Sequence, residues 1–335
     1  MYQPRLTLAR AMRACALLCA LAPLASAPAF ADYPDRPVRM VVGLQAGAST
    51  DILARQIARK LGDRLGKPFI VENKPGAGTR IAMDAVVHAP ADGYTLGVAN
   101  AVSVAFPLMF DNFGFVPGRD FVPVALLGRA PSYLAVRATL PVKNVQEFVA
   151  YARANSGKLS FGQGSTGSNP HLSALALVRS LGVQAVDVPY KGNAPTAVAL
   201  AGGEVDFAML EYPSVRPLVE RGNVRLLAVI EPKRVGLTPD IPTSGEQGLT
   251  REIDGMTPWF MLVAPVGTPP AVIAQLNKEV NDALKASEVR RSLLELGIET
   301  EGGTVAEAQA YFTQQRERTE RLARELKVVL KNGGQ

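Results

Sequence analysis

Cysteine is almost absent from this chain of 335 residues. Only Cys15 and Cys19 occur, so nothing downstream of them can form a disulfide, a thiolate nucleophile or a thiolate metal site. Histidine is equally scarce: His88 and His171 are the only two, and neither stands in an H-E-x-x-H pattern. No metal is expected on that inventory. No G-x-S-x-G elbow surrounds Ser49, Ser165 or Ser168, which removes a common acyl-transfer signature. Aromatic residues make up 6% of the chain, so the cores are expected to be aliphatic. Beyond the first thirty residues no segment is apolar enough to span a membrane. There is no low-complexity tract and no internal repeat at the periods of repeat proteins.

The start of the chain has the pattern of an export signal. Arg5, Arg10 and Arg13 form a basic lead, Ala14 to Leu24 an apolar run, and Ala29-Phe30-Ala31 a small-residue cleavage site. This predicts a secretory signal peptide over 1–31 and a periplasmic mature chain from Asp32. A membrane anchor is the alternative, but the run is shorter than the roughly 20 residues a spanning helix needs, and Pro23 and Pro28 interrupt the segment. There is no twin-arginine pair, which favours export as an unfolded chain. Leu18 before Cys19 argues against a lipid anchor. Without Arg5, Arg10 and Arg13, the 36 basic residues fall to 33 against 30 acidic ones, a net of +3. That balance gives no reason to expect nucleic acid.

Apolar patterning places strands at Val38–Val42, Phe69–Val71 and Tyr94–Ala99, with helices from Asp51 to Leu65 and Arg80 to His88 between them. A second block repeats the alternation. Its strands are Leu159–Phe161, Val186–Val188, Val205–Met209 and Val224–Ile230, and its helices Pro170–Leu181 and Ala194–Ala201. Strand–helix alternation predicts mainly parallel sheets flanked by helices. The extended stretch Val124–Val136 is expected to cross between two lobes, and Trp259–Ala264 to cross back. The tail from Ala271 reads as helix, ending in a segment over Val305–Leu330 whose Arg316, Arg318, Arg321 and Arg324 alternate with Glu317, Glu320 and Glu325. It reads as an exposed, salt-bridged helix. The expected domains are 32–131 plus 257–335 as a discontinuous first lobe and 132–256 as the second.

Two places share one design. A strand ends, a glycine-rich loop follows, and a helix begins beside hydroxyls: Gly43-Leu44-Gln45-Ala46-Gly47-Ala48-Ser49-Thr50-Asp51, and Gly162-Gln163-Gly164-Ser165-Thr166-Gly167-Ser168-Asn169. A helix's first turn has N–H groups without intrahelical partners and a partial positive charge, so such a loop suits a carboxylate or phosphate. If the loops belong to different lobes, each could grip one end of a short diacid. Ordinary capping explains the same residues: Ser49, Thr50, Asp51 and Asn169 are all good N-caps. The second loop also spells G-x-G-x-x-G through Gly162, Gly164 and Gly167, with Asp187 twenty residues on, the arrangement of a dinucleotide fingerprint. Against that reading, Asp187 falls in mid-strand, and an unfolded exported chain cannot carry NAD; no cofactor is expected. His171, in the first turn after the second loop, serves either as a neutral hydrogen-bond donor to a ligand or as a cap. His88 at a helix end reads as structural.

Further candidates are Tyr190, Lys191 and Gly192 at a strand end, where a cation and a ring would be available, and Asn100, which follows the strand Tyr94–Ala99. Glu211, past the strand Val205–Met209, could meet a ligand amine or pair with a lysine. Arg129, Arg216, Arg221 and Arg225 read as solvated charges.

Several ordered motifs resemble one family. They are Tyr33-Pro34 with Arg36-Pro37, Gly47 with Ser49-Thr50-Asp51, Val71-Glu72-Asn73-Lys74-Pro75-Gly76-Ala77-Gly78, Ala91-Asp92-Gly93-Tyr94-Thr95-Leu96, Val188-Pro189-Tyr190-Lys191-Gly192, and Val263-Ala264-Pro265 with Gly267-Thr268-Pro269. Across nearly the whole chain after Ala31 it resembles the substrate-binding proteins of tripartite tricarboxylate transporters, the Bug receptors. The resemblance implies an α/β, two-lobed type II periplasmic binding protein fold with the ligand cleft between the lobes, and no catalysis. It implies a small carboxylate ligand: a di- or tricarboxylate, an acidic amino acid or an aromatic acid. Carried over residue by residue, Ala46, Gly47, Ser49, Thr50 and Asp51 come from the first loop and Gln163, Ser165, Thr166, Gly167 and His171 from the second. This chain departs from the pattern where Leu44-Gln45 replaces a proline and an aromatic, where Ala48 replaces a second glycine, and where Glu211-Tyr212 replaces an Asp-Asn. Losing a glycine at 48 puts a positive φ there in question, and Gln45 is expected to add a polar group to the pocket. These changes suggest an altered ligand. The expected partner is a membrane permease of the tripartite tricarboxylate type or a membrane sensor, with the receptor a monomer; an exported cofactor-using enzyme is the remaining alternative.

Overall fold

The computed structural model describes residues 33–109, 113–249 and 252–325. The expected signal peptide, with both cysteines, lies outside them. Two compact units divide the chain, one ending at Asp35 and one running from Arg36 onward. The first contributes only Tyr33, Pro34 and Asp35 to the described residues; both sheets lie in the second.

The chain opens with β1 (Val38–Val42), α1 (Ser49–Leu65), β2 (Phe69–Asn73), a 3-10 turn (Ala77–Thr79), α2 (Arg80–Val87), β3 (Thr95–Asn100) and α3 (Val102–Met109). β4 (Phe121–Arg129) leads to β5 (Ser132–Arg137), α4 (Val145–Ala154), β6 (Leu159–Gln163), α5 (Asn169–Leu181), β7 (Ala185–Pro189), α6 (Asn193–Gly202), β8 (Phe207–Glu211), α7 (Tyr212–Glu220) and β9 (Val224–Val229). β10 (Trp259–Pro265), α8 (Pro270–Lys285), α9 (Ser287–Glu295), β11 (Glu299–Thr300) and α10 (Val305–Glu325) complete it.

One sheet has six strands in the order β11-β4-β10-β3-β1-β2, the other five in the order β7-β6-β8-β5-β9. Parallel pairing is confined to the strand–helix repeats, β2 and β3 on β1, β7 and β8 on β6. The strands at the crossings, β4, β5, β9 and β10, pair antiparallel, so both sheets are mixed. The stretch Val124–Val136 is two strands, because Ala130 and Pro131 break it; β4 belongs to the first sheet and β5 to the second. The Ala130 N–H donates to the Pro258 carbonyl at 2.8 Å, which ties the outward crossing to the return.

Period-two alternation explains why the second sheet buries both faces. Leu134, Val136, Phe207 and Met209 pack with Phe148, Leu172 and Leu177 of α4 and α5. Ala135, Ala208 and Leu210 point the other way, onto Ala197, Leu200 and Val215 of α6 and α7. The first sheet corrects the expectation of aliphatic cores. Phe113, Phe115, Phe121 and Phe312 meet in edge-on pairs with ring centroids 5.4–6.0 Å apart, and Trp259 packs against Phe312. A smaller ring cluster, Phe148, Phe161 and Phe207, lies in the core of the second sheet.

Two charge assignments are also corrected. Arg129 is not a solvated charge: it pairs with Glu231, which is buried, and with Glu301, while Thr257 Oγ1 donates to Glu231 at 2.8 Å. These residues sit where the chain crosses between sheets. α10 is not an exposed helix either. Ala308 and Phe312 enter the core beside the six-stranded sheet, and Leu322 enters the core of the five-stranded one. Its Arg318 donates to the Asp254 carbonyl and its Glu325 pairs with Arg179. Of the expected ladder within the helix, Arg324–Glu320 is the pair that forms among the described residues. Arg216 pairs with Glu220, in keeping with a surface charge.

Candidate functional site

Five helices begin at one cleft of about 570 Å³, lined from both sheets. Ser49 and Thr50 come from α1, Val102 from α3, Ser168, Asn169 and Pro170 from α5, Gly192 and Asn193 from α6, and Glu211, Pro213 and Ser214 from α7. The opposite wall is hydrocarbon: Leu44, Phe260, Leu296 and Ile298, with Pro258 beside them. Among the described residues that line it there is no lysine, arginine or histidine; Glu211 is the one charged side chain. An anion bound here would therefore be held by helix N-termini and hydroxyls, not by ion pairs.

The two glycine loops deliver α1 and α5 by one backbone design. The Ala48 N–H donates to the Gln45 carbonyl at 3.2 Å, and the Ser168 N–H donates to the Ser165 carbonyl at 3.1 Å. The third residue of each turn is a glycine at positive φ, Gly47 at 86° and Gly167 at 78°. The next residue caps the helix in extended conformation, Ala48 with φ −67° and ψ 155°, Ser168 with φ −68° and ψ 160°. Three residues into each helix a side chain turns back and accepts the glycine's N–H at 2.9 Å. Asp51 Oδ2 does so for Gly47, and His171 Nδ1 for Gly167. The left-handed glycine and the returning acceptor hold the first helical amides toward the cleft.

The concern over Ala48 is resolved by this geometry. The positive φ falls on Gly47, so alanine fits at 48 without strain. Ser49, Thr50 and Asp51 are not N-caps; they form the first turn after Ala48, which has no capping side chain. Asn169 likewise gives way to Ser168, whose Oγ accepts the His171 N–H, while Asn169 Nδ2 donates to the Thr257 carbonyl at 2.8 Å. Gln45 is exposed and does not line the cleft; Leu44 does, so the pocket gains hydrocarbon there rather than an amide.

Of the expected site residues, Ser49, Thr50, Asn100, Ser165, Gly192 and Glu211 line the cleft. Asn100 also caps α3, its Oδ1 accepting the N–H groups of Val102 and Ser103. The others stand behind the wall or away from it. Ala46, Gly47 and Thr166 belong to the turns. Asp51 is buried and also accepts from Arg55 Nε at 3.0 Å and Asn73 Nδ2 at 2.9 Å. Burial works to raise its pKa, but the bonds from Arg55, Gly47 and Asn73 outweigh it and hold the carboxyl below its ordinary value. Gln163 is buried and donates to Thr166 Oγ1 at 3.0 Å. Gly167 and His171 are the clamp described above. Because His171 Nδ1 accepts, its proton resides on Nε2, which donates to Asp187 at 2.8 Å. It is the neutral donor foreseen, but toward Asp187 rather than a ligand. Tyr190 donates to Glu204, and Lys191 is exposed.

The same contacts account for the apparent dinucleotide fingerprint. Asp187 is occupied by His171. A Cβ on Gly164 would lie 2.7 Å from the Gly192 carbonyl carbon and 2.6 Å from Asn193 Oδ1. That glycine is needed so that the loop opening α6 can cross it.

Glu211 is the last residue of β8 and the N-cap of α7. Its partner is no lysine: Asn193 Nδ2 donates to Oε2. Burial pushes its carboxyl up to about 7, and no charged neighbour contributes to the shift. The residues that sequence reasoning missed are mainly the apolar ones. Phe260, Leu296 and Ile298 lie far along the chain, in β10 and the turn between α9 and β11, and no motif marks them. No helix among the described residues is long and apolar enough to cross a membrane.

Comparison with known proteins places this geometry. Residues 53–328 match the model of the tripartite tricarboxylate transporter family receptor. The protein BugT of Bordetella pertussis is 33% identical over 310 residues, covering 91% of this chain and 94% of BugT. Among solved structures, Rpa4515 of R. palustris with adipate superposes with a TM-score of 0.71 at 35% identity, over 88% of this chain and 98% of that one. MatC of Rhodopseudomonas palustris with bound malate superposes with a TM-score of 0.67 at 33% identity, over 87% and 99%. Proteins of this family are periplasmic substrate-binding receptors, not enzymes. With its two mixed sheets, its paired helix entries and a match running from α1 to the end of α10, the chain belongs to the tripartite tricarboxylate transporter receptor family.

Proposed function

We propose that this receptor captures a small carboxylate in the cleft and presents it to a membrane permease of the tripartite tricarboxylate type. The observation that carries the reading is the convergence of the α1 and α5 N-termini, with Ser49 and Ser165, on a cleft without a basic side chain. The uncapped first-turn amides of α1, the Asn169 N–H at the start of α5 and the hydroxyls of Ser49 and Ser165 supply donors for an oxyanion, and desolvation in the cleft strengthens them. The relatives with adipate and malate support the same class. The two lobes are taken as residues 32–131 with 257–335, and 132–256, closing around the ligand at the β4–β5 and β9–β10 crossings. Export by a cleaved signal over 1–31 delivers the chain to the periplasm, where it works as a monomer.

A melting-temperature screen of mono-, di- and tricarboxylates, amino acids and aromatic acids tests the reading, because a ligand that binds only the folded state raises the transition. Ser49 and Ser165 are both exposed in the cleft wall, so replacing both by leucine leaves the cores intact. The variant is expected to melt within a few degrees of the parent and to lose the carboxylate-induced rise. If no carboxylate shifts the parent, or if the double variant keeps the full shift, the site or its ligand class is wrong.

A further inference from the structure

Among the described residues that line the cleft, the one charge has the same sign as the proposed carboxylate. Glu211 is the N-cap residue of α7, and its carboxylate accepts from Asn193, the first residue of α6, rather than from the α7 amides. Pro213, in the first turn of α7, has no N–H to offer. With the Glu211 carboxylate beside the starts of α6 and α7, and Asn100 Oδ1 already capping α3, the oxyanion donors away from Glu211 are chiefly the α1 amides and the Asn169 N–H and Ser165 hydroxyl at α5.

The surroundings of Glu211 are otherwise uncharged. Asn193 donates to its carboxylate, Ser214 Oγ donates to its backbone carbonyl at 2.7 Å, and the hydroxyls and amides of Ser49, Thr50, Asn100, Ser165 and Ser168 line the rest. Among the described residues no other lining side chain is titratable. Near Glu211 the cleft is closed by hydrocarbon. The turn carrying Leu296 and Ile298 meets Pro213 so closely that a Cβ on Gly297 would lie 2.4 Å from Pro213 Cγ. With one carboxylate held jointly by the α1 and α5 loops, which converge on the cleft, a diacid would place its second carboxylate against Glu211 or against this apolar wall. Either position costs binding: like charges repel in a low-dielectric site, and an unpaired charge loses its hydration.

We propose that the cleft takes a monocarboxylate with an apolar body, and that Glu211 sets this class by rejecting a second carboxylate. The inference rests on the carboxylate reading above and narrows it, in contrast to the relative with adipate.

The test is affinity for matched acids at about pH 8.5: butanoate with succinate, hexanoate with adipate, benzoate with terephthalate. The parent protein is expected to favour the monoacid of any pair that binds, by roughly tenfold or more. Glu211→Gln should shift the ratio of diacid to monoacid affinity toward the diacid by about that factor. Glu211→Leu, which also removes the charge, should act in the same direction, and ligand-free melting shows that both variants fold. The pH dependence gives a second readout. The carboxyl titrates at about 7 without ligand, and a bound diacid raises it further. Diacid binding therefore takes up a proton: it is strongest below about pH 7 and weakens as pH rises through that value, whereas Glu211→Gln shows no such loss. Diacids that bind the parent as tightly as their monoacid partners, or a Glu211→Gln variant that shifts both members alike, overturn the inference and leave the carboxylate reading standing. If no acid of any pair binds parent or variant, the carboxylate reading fails, and this inference with it.

Discussion

At Gly47 and at Gly167 the chain makes the same turn, enters a helix through the same cap conformation, and closes on the glycine N–H from the same position in the helix. The residues doing so have little in common: Gln45-Ala46-Gly47-Ala48-Ser49-Thr50-Asp51 in one loop, Ser165-Thr166-Gly167-Ser168-Asn169-Pro170-His171 in the other. Two requirements are shared, a glycine that tolerates a positive φ and an acceptor four residues on. The clamps differ in chemistry. Asp51 is an anion with two further donors, Arg55 and Asn73, whereas His171 is a neutral ring whose Nε2–H donates to Asp187. The caps differ too: Ser168 offers a hydroxyl to the His171 N–H and Ala48 offers none. A helix end aimed at a ligand can thus be held by quite different side chains, provided the backbone geometry is met.

The largest break in this parallel is expected from the clamps. Asp51→Ala removes an acceptor with three donors and leaves the Gly47 and Asn73 donors unmatched. It should cost about 3 kcal/mol, against about 2 kcal/mol for His171→Ala, where one amide and one carboxylate lose a partner. Urea unfolding of both variants measures the difference, and equal costs would mean that the extra donors to Asp51 add nothing. A smaller effect follows from the glycines. Gly47→Ala and Gly167→Ala each force a side chain into the left-handed region, at about 1–2 kcal/mol. The two should agree, because the turns do. The caps sharpen the comparison most finely. Ser168→Ala should cost about 1 kcal/mol, and Ala48→Ser, which supplies the hydroxyl the first loop lacks, should gain up to about 1 kcal/mol. A destabilising Ala48→Ser would show that the two caps are not equivalent.

Much of the fold was legible because it rests on local periodicity. The βαβ repeats announced themselves through apolar strands and through Leu53, Ile57 and Leu61 on one face of α1, all of them buried. Of the two breaks that Gly128 and Pro131 suggest in Val124–Val136, only the one at Pro131 forms, since β4 runs through Gly128 to Arg129. Strand ends were less legible. The segment Val205–Met209 is in fact Phe207–Glu211, set by pairing of Phe207 with Phe161 across the sheet. That shift makes Glu211 the strand's last residue. α3, α4 and α7 were missed; α3 and α7 each contain an internal proline that disrupts the helical pattern.

The candidate site divides in the same way. Glycines, hydroxyls and turn spacing named both loops and hence Ser49, Thr50 and Ser165. Which loop residues face the ligand was not local. His171, Asp51 and Gln163 look like ligands in sequence because they are polar and near the loops. In the structure their polar atoms are used to hold those loops.

The sequence by itself determined the chemistry available: no cysteine beyond Cys19, two histidines, strand–helix alternation, and two glycine-rich helix entries, all written in short windows of chain. Only the tertiary structure decided what those parts do together. It brought Phe260, Leu296 and Ile298 across the cleft from the helix ends, buried Arg129 against Glu231 at the crossing, and left Glu211 as the single charge facing the cleft. The physical reason is that desolvation and convergence are properties of neighbours in space. They are set by long-range packing that seats β10 (Trp259–Pro265) between β3 and β4, both more than a hundred residues earlier in the chain.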